Sequence, residues 1–152
     1  GNAHVHHRDG LEGLVAMTPP KPNRGAVLID PPYERFDEYK EIEGAIDDLF
    51  KRWKNAQVVL WYPLLSQRAG VKAGASERLI DNVKAAAKSA FIGELHVADP
   101  AEDTGMYGSG VLVLNPPWQL DKLMEEALDE VCQILPGQAH FRVSWVKREE
   151  NG

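Results

Sequence analysis

The stretch that decides the fold is Gly25-Ala26-Val27-Leu28-Ile29 followed by Asp30-Pro31-Pro32-Tyr33. Residues 25–29 form an unbroken apolar run, which is typical of a strand covered on both faces. The two consecutive prolines restrict the backbone and lack N–H donors, so they predict a stiff corner directly after the strand. In open α/β sheets ligands bind just past the carboxyl ends of strands. Asp30 and its neighbours are therefore the first candidates for a functional site.

The sequence on either side of this segment predicts further strands and helices. Helical spacing and composition predict helices near residues 11–17, 36–54 (with Asp37 as N-cap), 76–89 and 119–135. Apolar runs predict strands at 57–61, 91–97, 110–114 and, at an edge, 139–146, with residues 106–110 as a loop. Because no helix separates the strands at 91–97 and 110–114, that pair is predicted to be antiparallel. The order predicts an α/β sheet, mostly parallel with an antiparallel edge.

The bulk composition predicts one domain, residues 1–152, of ordinary soluble composition, with 43% hydrophobic and 26% charged residues. No apolar run approaches the roughly 20 residues that cross a bilayer. The start, Gly1-Asn2-Ala3-His4, predicts a fragment of a longer protein, and the single Cys132 fits a cytoplasmic location.

A net charge of −6 weighs against a dedicated nucleic-acid-binding module. A local basic rim could still contact RNA; Lys51, Arg52 and Lys54 could serve there, or could simply suit the helix dipole.

The chemistry that the Asp30 corner could perform is alkylation of an exocyclic base amine. That nitrogen is a poor nucleophile because its lone pair is delocalised into the ring. If Asp30 accepts one N–H and the Pro31 carbonyl accepts the other, the lone pair becomes localised. Tyr33, with Pro32, offers a face against which a flipped-out base could stack. Methyl transfer from a sulfonium donor would then depend on positioning and charge. The alternative is that the corner is only a rigid turn.

Two other motifs bear on this interpretation. Asn115-Pro116-Pro117-Trp118 has the same pattern after another strand, but an amide polarises an amine less than a carboxylate does. It is expected to be a corner that starts a helix, with Trp118 packed behind the strands. Asp9-Gly10 alone is a common turn pair. Together with Asp30 it is similar to the adenine-side contact of methyl-donor pockets.

Aromatic and histidine residues supply the remaining candidates. Trp61 and Tyr62 follow a strand on the same rim; Trp61 is expected in the core and Tyr62 in contact with the substrate. His4, His6 and His7 are expected in a solvated terminal strand, and no metal site is predicted, because no downstream Cys or His has a suitable spacing.

Taken together, several motifs resemble one family in the same order along nearly the whole chain. These motifs are Arg8-Asp9-Gly10, Arg24-Gly25, Leu28 to Glu34, Leu60-Trp61-Tyr62-Pro63, Gly108-Ser109-Gly110, Asn115 to Trp118 and Ser144-Trp145. The chain thus resembles the bacterial large-subunit ribosomal RNA adenine-N6 methyltransferases of the J type. The resemblance implies a class I, Rossmann-like methyltransferase fold, S-adenosylmethionine as donor, and N6 of an adenine in 23S rRNA as acceptor.

Carried over residue by residue, the resemblance assigns to Asp30 the role of the active-site acid, which in the family also borders the donor. It assigns a cofactor contact to Asp9 and Gly10. It also reveals a departure from the family. The glycine-rich loop, the acidic ribose contact and the cofactor-side histidines of the family's N-terminal half have no counterpart here. The chain is therefore expected to be the C-terminal part of a methyltransferase catalytic domain. Two alternatives stay open: methylation of another nitrogen, such as a protein Gln or cytosine N4, and a non-catalytic interaction module.

Overall fold

The computed structural model describes residues 3–7, 9–101 and 105–150, so Arg8 of the first motif lies outside the described residues. The chain forms a five-stranded sheet with helices on both faces. The elements are α1 (Gly10–Met17), β1 (Ala26–Ile29), α2 (Glu38–Arg52), β2 (Gln57–Leu65), α3 (Ala75–Val83), β3 (Ala90–His96), β4 (Met106–Leu114), α4 (Leu120–Ile134) and β5 (His140–Lys147), with 3₁₀ turns at Gln67–Lys72 and Lys84–Ala86. None of the helices in these ranges is long and apolar enough to cross a membrane.

The sheet has the strand order β1-β2-β4-β3-β5. β1 and β2 are parallel, and the three other pairings are antiparallel. The antiparallel β3–β4 pair and the edge position of β5 confirm two predictions. The prediction of a mostly parallel sheet is wrong at the level of pairing, because β4 returns between β2 and β3. β1, β2 and β3 nevertheless run in the same direction, so their carboxyl ends share one edge of the sheet.

The core lies between one face of the sheet and helices α2 and α3. The helical spacing of α2 places Ile42, Ile46 and Leu49 on that face, and all three are fully buried. Burial of each such side chain stabilises the fold by about 1.5–3 kcal/mol. Asp37 precedes α2 as predicted, but its side chain makes no capping bond. The opposite face is covered over β3 by α4, which packs so closely that a Cβ on Gly93 would overlap Met124.

β1 differs from its prediction, because only one of its faces is covered. Ile29 is buried in the core, whereas Leu28, which points to the other face, is 72% exposed. β1 pairs only with β2, so it forms an edge of the sheet. The apolar run therefore predicted the strand correctly, but within the described residues no element covers its second face.

The two central strands β2 and β4 are longer than predicted. Pro63 does not end β2, which continues to Leu65 beyond the last residue that pairs with β1. A proline is tolerated where one side of a strand has no ladder partner. Residues 106–110 form part of β4 instead of a loop, and the glycines in this segment make room for side chains of neighbouring strands. A Cβ on Gly110 would lie 2.6 Å from the Tyr62 ring.

Candidate active site

The Asp30 corner lies at the edge of the sheet where β1 ends. Ile29 pairs with Leu60 of β2, and the chain leaves the sheet at the next residue. The Asp30 side chain is exposed, and neither its carboxylate nor the Pro31 carbonyl has a hydrogen-bond partner among the described residues. Two oxygen acceptors are therefore free next to each other on a stiff piece of backbone.

The corner opens onto a cavity of about 350 Å³. Its walls come from the start of α1, the end of β1, the corner itself and the first turns of α2: Asp9, Gly10, Leu11, Leu14, Val27, Leu28, Ile29, Asp30, Pro31, Pro32, Arg35, Glu38, Glu41 and Ile42. The fold thus brings Asp9 and Gly10 together with Asp30, although 20 residues separate the two acids in the sequence. Asp30 faces open space and not solid core.

Acidic side chains dominate the walls of this cavity. Asp9, Asp30, Glu38 and Glu41 line it with a single cation, Arg35. Arg35 is already engaged, since its Nη2 lies 3.1 Å from Glu41 Oε1 and its backbone N–H donates to Glu38 Oε2 at 2.7 Å. The surplus of negative charge favours a positively charged ligand.

Asp9 has a structural role in addition to its place in the cavity wall. Its Oδ1 accepts from the backbone N–H groups of Leu11 and Glu12, both at 3.1 Å, and so caps the N-terminus of α1. Its Oδ2 has no partner within the described residues. Capping fixes the carboxylate while leaving one oxygen free to accept a hydrogen bond in the cavity.

Tyr33 is not placed as predicted for base stacking. Only 5% of the residue is exposed, and its ring packs against Tyr39 and Trp61 with centroid distances of 4.8 and 5.9 Å. Its hydroxyl donates to the Trp61 carbonyl at 2.6 Å. Burial raises the pKa of Tyr33, and the nearby Tyr39 and Asp30 add to this effect. The ring therefore anchors the corner to β2, while the exposed Pro32 forms part of the cavity wall.

A lysine that sequence reasoning missed also holds this corner. Lys72, at the end of the first 3₁₀ turn, donates from Nζ to the carbonyls of Tyr33 (2.9 Å) and Glu34 (2.5 Å). Tyr33 itself has a positive φ of 51°, a conformation that costs about 1–3 kcal/mol for a non-glycine residue. Anchors at both the side chain and the carbonyl keep it there. The distant position of Lys72 in the sequence gave no signal of this contact.

Tyr62 is also placed differently from its prediction. Its side chain is 1% exposed and points into the core, whereas Trp61 points to the partly open face of β2. The Tyr62 hydroxyl donates to Glu94 Oε1 at 2.8 Å. Glu94 is itself buried, and its Oε2 accepts from Arg142 at 3.0 Å and lies 3.3 Å from His96 Nε2. Tyr62 thus belongs to a buried polar network, and the described structure gives it no surface for a substrate.

The second proline corner, Asn115 to Trp118, lies at the opposite edge of the sheet. The Asn115 side chain is engaged by the backbone, since its Oδ1 accepts from the Lys88 N–H at 2.8 Å and its Nδ2 donates to the Ala56 carbonyl at 3.0 Å. The corner does precede a helix, as predicted. Trp118, however, is 87% exposed and is not packed behind the strands. The stiff turn carries the indole away from the sheet.

The N-terminal histidines are solvated as predicted, but they do not lie in a strand. His4, His6 and His7 are exposed in residues 3–7, which have no regular structure. Across the ranges that the structure describes, no group of three or more His, Cys, Asp or Glu side chains could hold a metal ion.

Comparison with known proteins gives consistent matches. The sequence model of the family described as "Ribosomal RNA large subunit methyltransferase D, RlmJ" matches residues 1–147. The chain is 33% identical to ribosomal RNA large subunit methyltransferase J of Escherichia coli K12 and 32% identical to that of Haemophilus influenzae, over 97% of its length in both cases. It covers 51% and 52% of those proteins. The crystal structure of protein LPL1258 from Legionella pneumophila superposes with a TM-score of 0.79 at 29% identity, over 91% of this chain and 49% of that one.

Proposed function

The chain belongs to the RlmJ family of ribosomal RNA large subunit methyltransferases, and from this premise we propose that it carries the acceptor side of an adenine-N6 methyltransferase active site acting on 23S rRNA. The observation that supports the proposal is the pairing of two free oxygen acceptors, Asp30 and the Pro31 carbonyl, at the mouth of an acidic cavity. The chain spans about half the length of the relatives it matches. The activity is therefore proposed for the whole protein of which this domain forms a part.

The acceptor geometry supports a role for Asp30 in polarising the adenine amino group. An adenine amino group at the corner would donate one N–H to the Asp30 carboxylate and the other to the Pro31 carbonyl. A carboxylate accepts a stronger hydrogen bond than a neutral group does, so electron density shifts towards the amino nitrogen. Pro32, exposed in the cavity wall, limits the positions that the base can take. Tyr33 acts indirectly by fixing the backbone that presents these oxygens.

The same cavity suits S-adenosylmethionine as the donor. Bound there, the donor would supply an electrophilic methyl group on a cationic sulfonium centre. The surplus of carboxylates favours that positive charge. The free Asp9 Oδ2 could accept an exocyclic N–H of the donor's adenine, with Gly10 leaving room for close approach because it has no side chain. Asp30 would border both the donor and the acceptor.

The topology supports a class I, Rossmann-like assignment as part of the same proposal. The parallel pair β1–β2 carries the proposed site at its carboxyl edge, where open α/β sheets place ligands. The third strand of the same direction, β3, follows in order after an inserted antiparallel strand. We also propose that residues 1–152 form one domain that works in the cytoplasm, where ribosomal RNA is methylated.

The proposal is tested by identifying the methylated product. A polypeptide of the relatives' full length that contains this sequence is incubated with labelled S-adenosylmethionine and 23S rRNA lacking modifications, and the nucleosides are then separated. We expect the label in N6-methyladenosine. Label in N4-methylcytidine, or in a glutamine of ribosomal protein added in parallel, would show that the methyl acceptor is a different nitrogen. The methyl-transfer chemistry would still hold.

The non-catalytic alternative is separated by calorimetric titration with S-adenosylmethionine. The full-length polypeptide should bind the donor, and the Asp9→Ala substitution should weaken that binding. If neither the 152-residue chain nor the longer polypeptide binds the donor, the proposed function is wrong and the domain is an interaction module.

A further inference from the structure

We propose that the edge of the sheet opposite Asp30 carries a docking surface for single-stranded RNA, built around Trp118. The surface, called here the Trp118 platform, consists of Trp118, Lys122, Trp145 and Arg148, which line one groove of about 620 Å³. The inference deepens the proposed function, because the RNA it docks would be a segment of the same substrate away from the target adenine.

The Trp118 platform rests on a rigid support. Asn115 ties the turn to two other segments through the Lys88 N–H and the Ala56 carbonyl. Two prolines follow, and both Asn115 (φ 50°) and Gln119 (φ 64°) have left-handed backbone conformations. Such conformations cost about 1–3 kcal/mol each and persist only where the surroundings enforce them. The turn therefore fixes the backbone that carries an 87% exposed indole, and burial in this domain does not explain that exposed position.

The side chains around the indole are suited to nucleotides. Arg148 lies 5.2 Å from the centre of the Trp145 ring, and Trp145 Nε1 donates to Asp121 at 3.2 Å. This leaves the guanidinium stacked and oriented beside the groove. Neither Lys122 nor Arg148 has a carboxylate partner among the described residues, although Asp121 also lines the groove. Stacking aromatics beside cations are the elements with which proteins hold single-stranded RNA.

The local charge at this edge suits RNA, although the chain as a whole has a net charge of −6. Lys54 and Lys88 lie beside the same Asn115 turn, and neither has a carboxylate partner in the described ranges. They line a neighbouring groove in which Asp47 is the one acid and Lys51 a third cation. The acidic cavity at Asp30 is unsuited to phosphate, so phosphate contacts must come from elsewhere. Asn115 lies four strand residues from the level of Asp30, a separation of roughly 13 Å along the strand direction, so one RNA strand can reach both sites.

The experiment measures binding of a fluorescein-labelled 12-nucleotide single-stranded RNA to this chain by anisotropy over a range of salt. Trp118→Ala should weaken binding by between about 5-fold and 150-fold, the range for losing one stacked base, whereas Trp118→Phe should retain most of it. Replacing both Lys122 and Arg148 by Gln should reduce the slope of log affinity against log salt by about 1.4, since each phosphate contact contributes about 0.7. The matched controls are Ile134→Ala, an exposed apolar residue, and Lys40→Gln, an exposed cation, both remote from the groove.

Two results would overturn the inference. One is an unchanged affinity in Trp118→Ala with an unchanged melting temperature. The other is a dimer in sedimentation that Trp118→Ala dissolves while RNA affinity stays the same, which would assign the surface to a second copy. Methyl transfer by the full-length polypeptide and RNA binding by this chain are measured separately. Failure of methyl transfer with intact Trp118-dependent binding would thus reject the proposed function alone, and the reverse pattern would reject the platform alone.

Discussion

Replacement of Tyr62 by Phe tests the buried polar network that links β2, β3 and β5. Tyr62 is the single described donor to Glu94 Oε1, at 2.8 Å, whereas Oε2 keeps Arg142 and His96. Glu94 is only 5% exposed, so water does not readily replace the lost hydroxyl. A hydrogen bond to a charged group contributes about 1.5–3 kcal/mol. In a chain of this size that corresponds to a fall in melting temperature of roughly 3–12 °C.

The matched control is Tyr39→Phe. Tyr39 is as deeply buried, but its hydroxyl lies near Ser76 without a hydrogen bond of acceptable geometry. Its removal should leave the melting temperature unchanged or raise it. The melting temperatures are measured by thermal unfolding at pH 7. An equal decrease in the two variants would show that the contact with Glu94 is not the cause, because deletion of any buried hydroxyl would then lower the melting temperature to the same extent.

The decrease of stability at alkaline pH gives a second test of the Tyr62 environment. Burial, reinforced by the Glu94 carboxylate, raises the pKa of Tyr62 above its usual value of 10. Above pH 10 the unfolded chain loses this proton while the folded chain keeps it, so stability falls as pH rises, by about 1.4 kcal/mol per pH unit for each such tyrosine. Tyr33 behaves in the same way. Between pH 10 and 12 the free energy of unfolding of Tyr62→Phe should therefore fall less steeply than that of the unaltered chain; parallel slopes would contradict this assignment.

Two further substitutions test the corner and the centre of the sheet. Gly110→Ala places a Cβ against the Tyr62 ring and should destabilise the chain by about 1–3 kcal/mol; chemical denaturation should show part of that loss recovered when Tyr62→Leu is added, and additive losses would contradict the contact. Lys72→Met frees the carbonyls of Tyr33 and Glu34, so amide hydrogen exchange next to the corner should quicken. Lys51→Met, which removes a lysine from an exposed pair with Asp48, should not change that exchange, and the same exchange in both variants would show that Lys72 does not hold the corner.

Most helices and strands of this fold could be predicted, because the spacing of apolar residues that defines each of them lies within one short segment. The spacing in α2 and the apolar run of β1 were sufficient to place a helix and a strand. The sequence could not predict that Leu28 is solvated, since an apolar run has the same composition whether or not another element covers it. It also misplaced the start of β4, because glycines that make room for an aromatic ring resemble glycines of a loop.

The candidate site was predicted in part for the same reason. Proline spacing and position after a strand identified Asp30, and its grouping with Asp9 agrees with the described cavity. The roles of the aromatic residues could not be predicted. Whether Tyr62 or Trp61 faces the core depends on the face that α2 and α3 cover, and the burial of Tyr33 depends on Tyr39 and Lys72, which lie on other elements.

We propose that Asp30 contributes to chemistry and not to folding, and a pair of matched substitutions tests this role. Asp30→Asn, in a polypeptide of the relatives' full length, keeps the shape of the side chain and removes its charge; the control is Asp37→Asn, another exposed carboxylate. Because the Asp30 side chain has no hydrogen-bond partner among the described residues, the free energy of unfolding should change by no more than about 0.5 kcal/mol. The rate constant for methyl transfer to rRNA should fall about 10²–10³-fold or more, as when one preorganised polar contact to the reacting group is lost. A near-normal rate in Asp30→Asn, with intact folding, would show that the Asp30 carboxylate takes no part in methyl transfer.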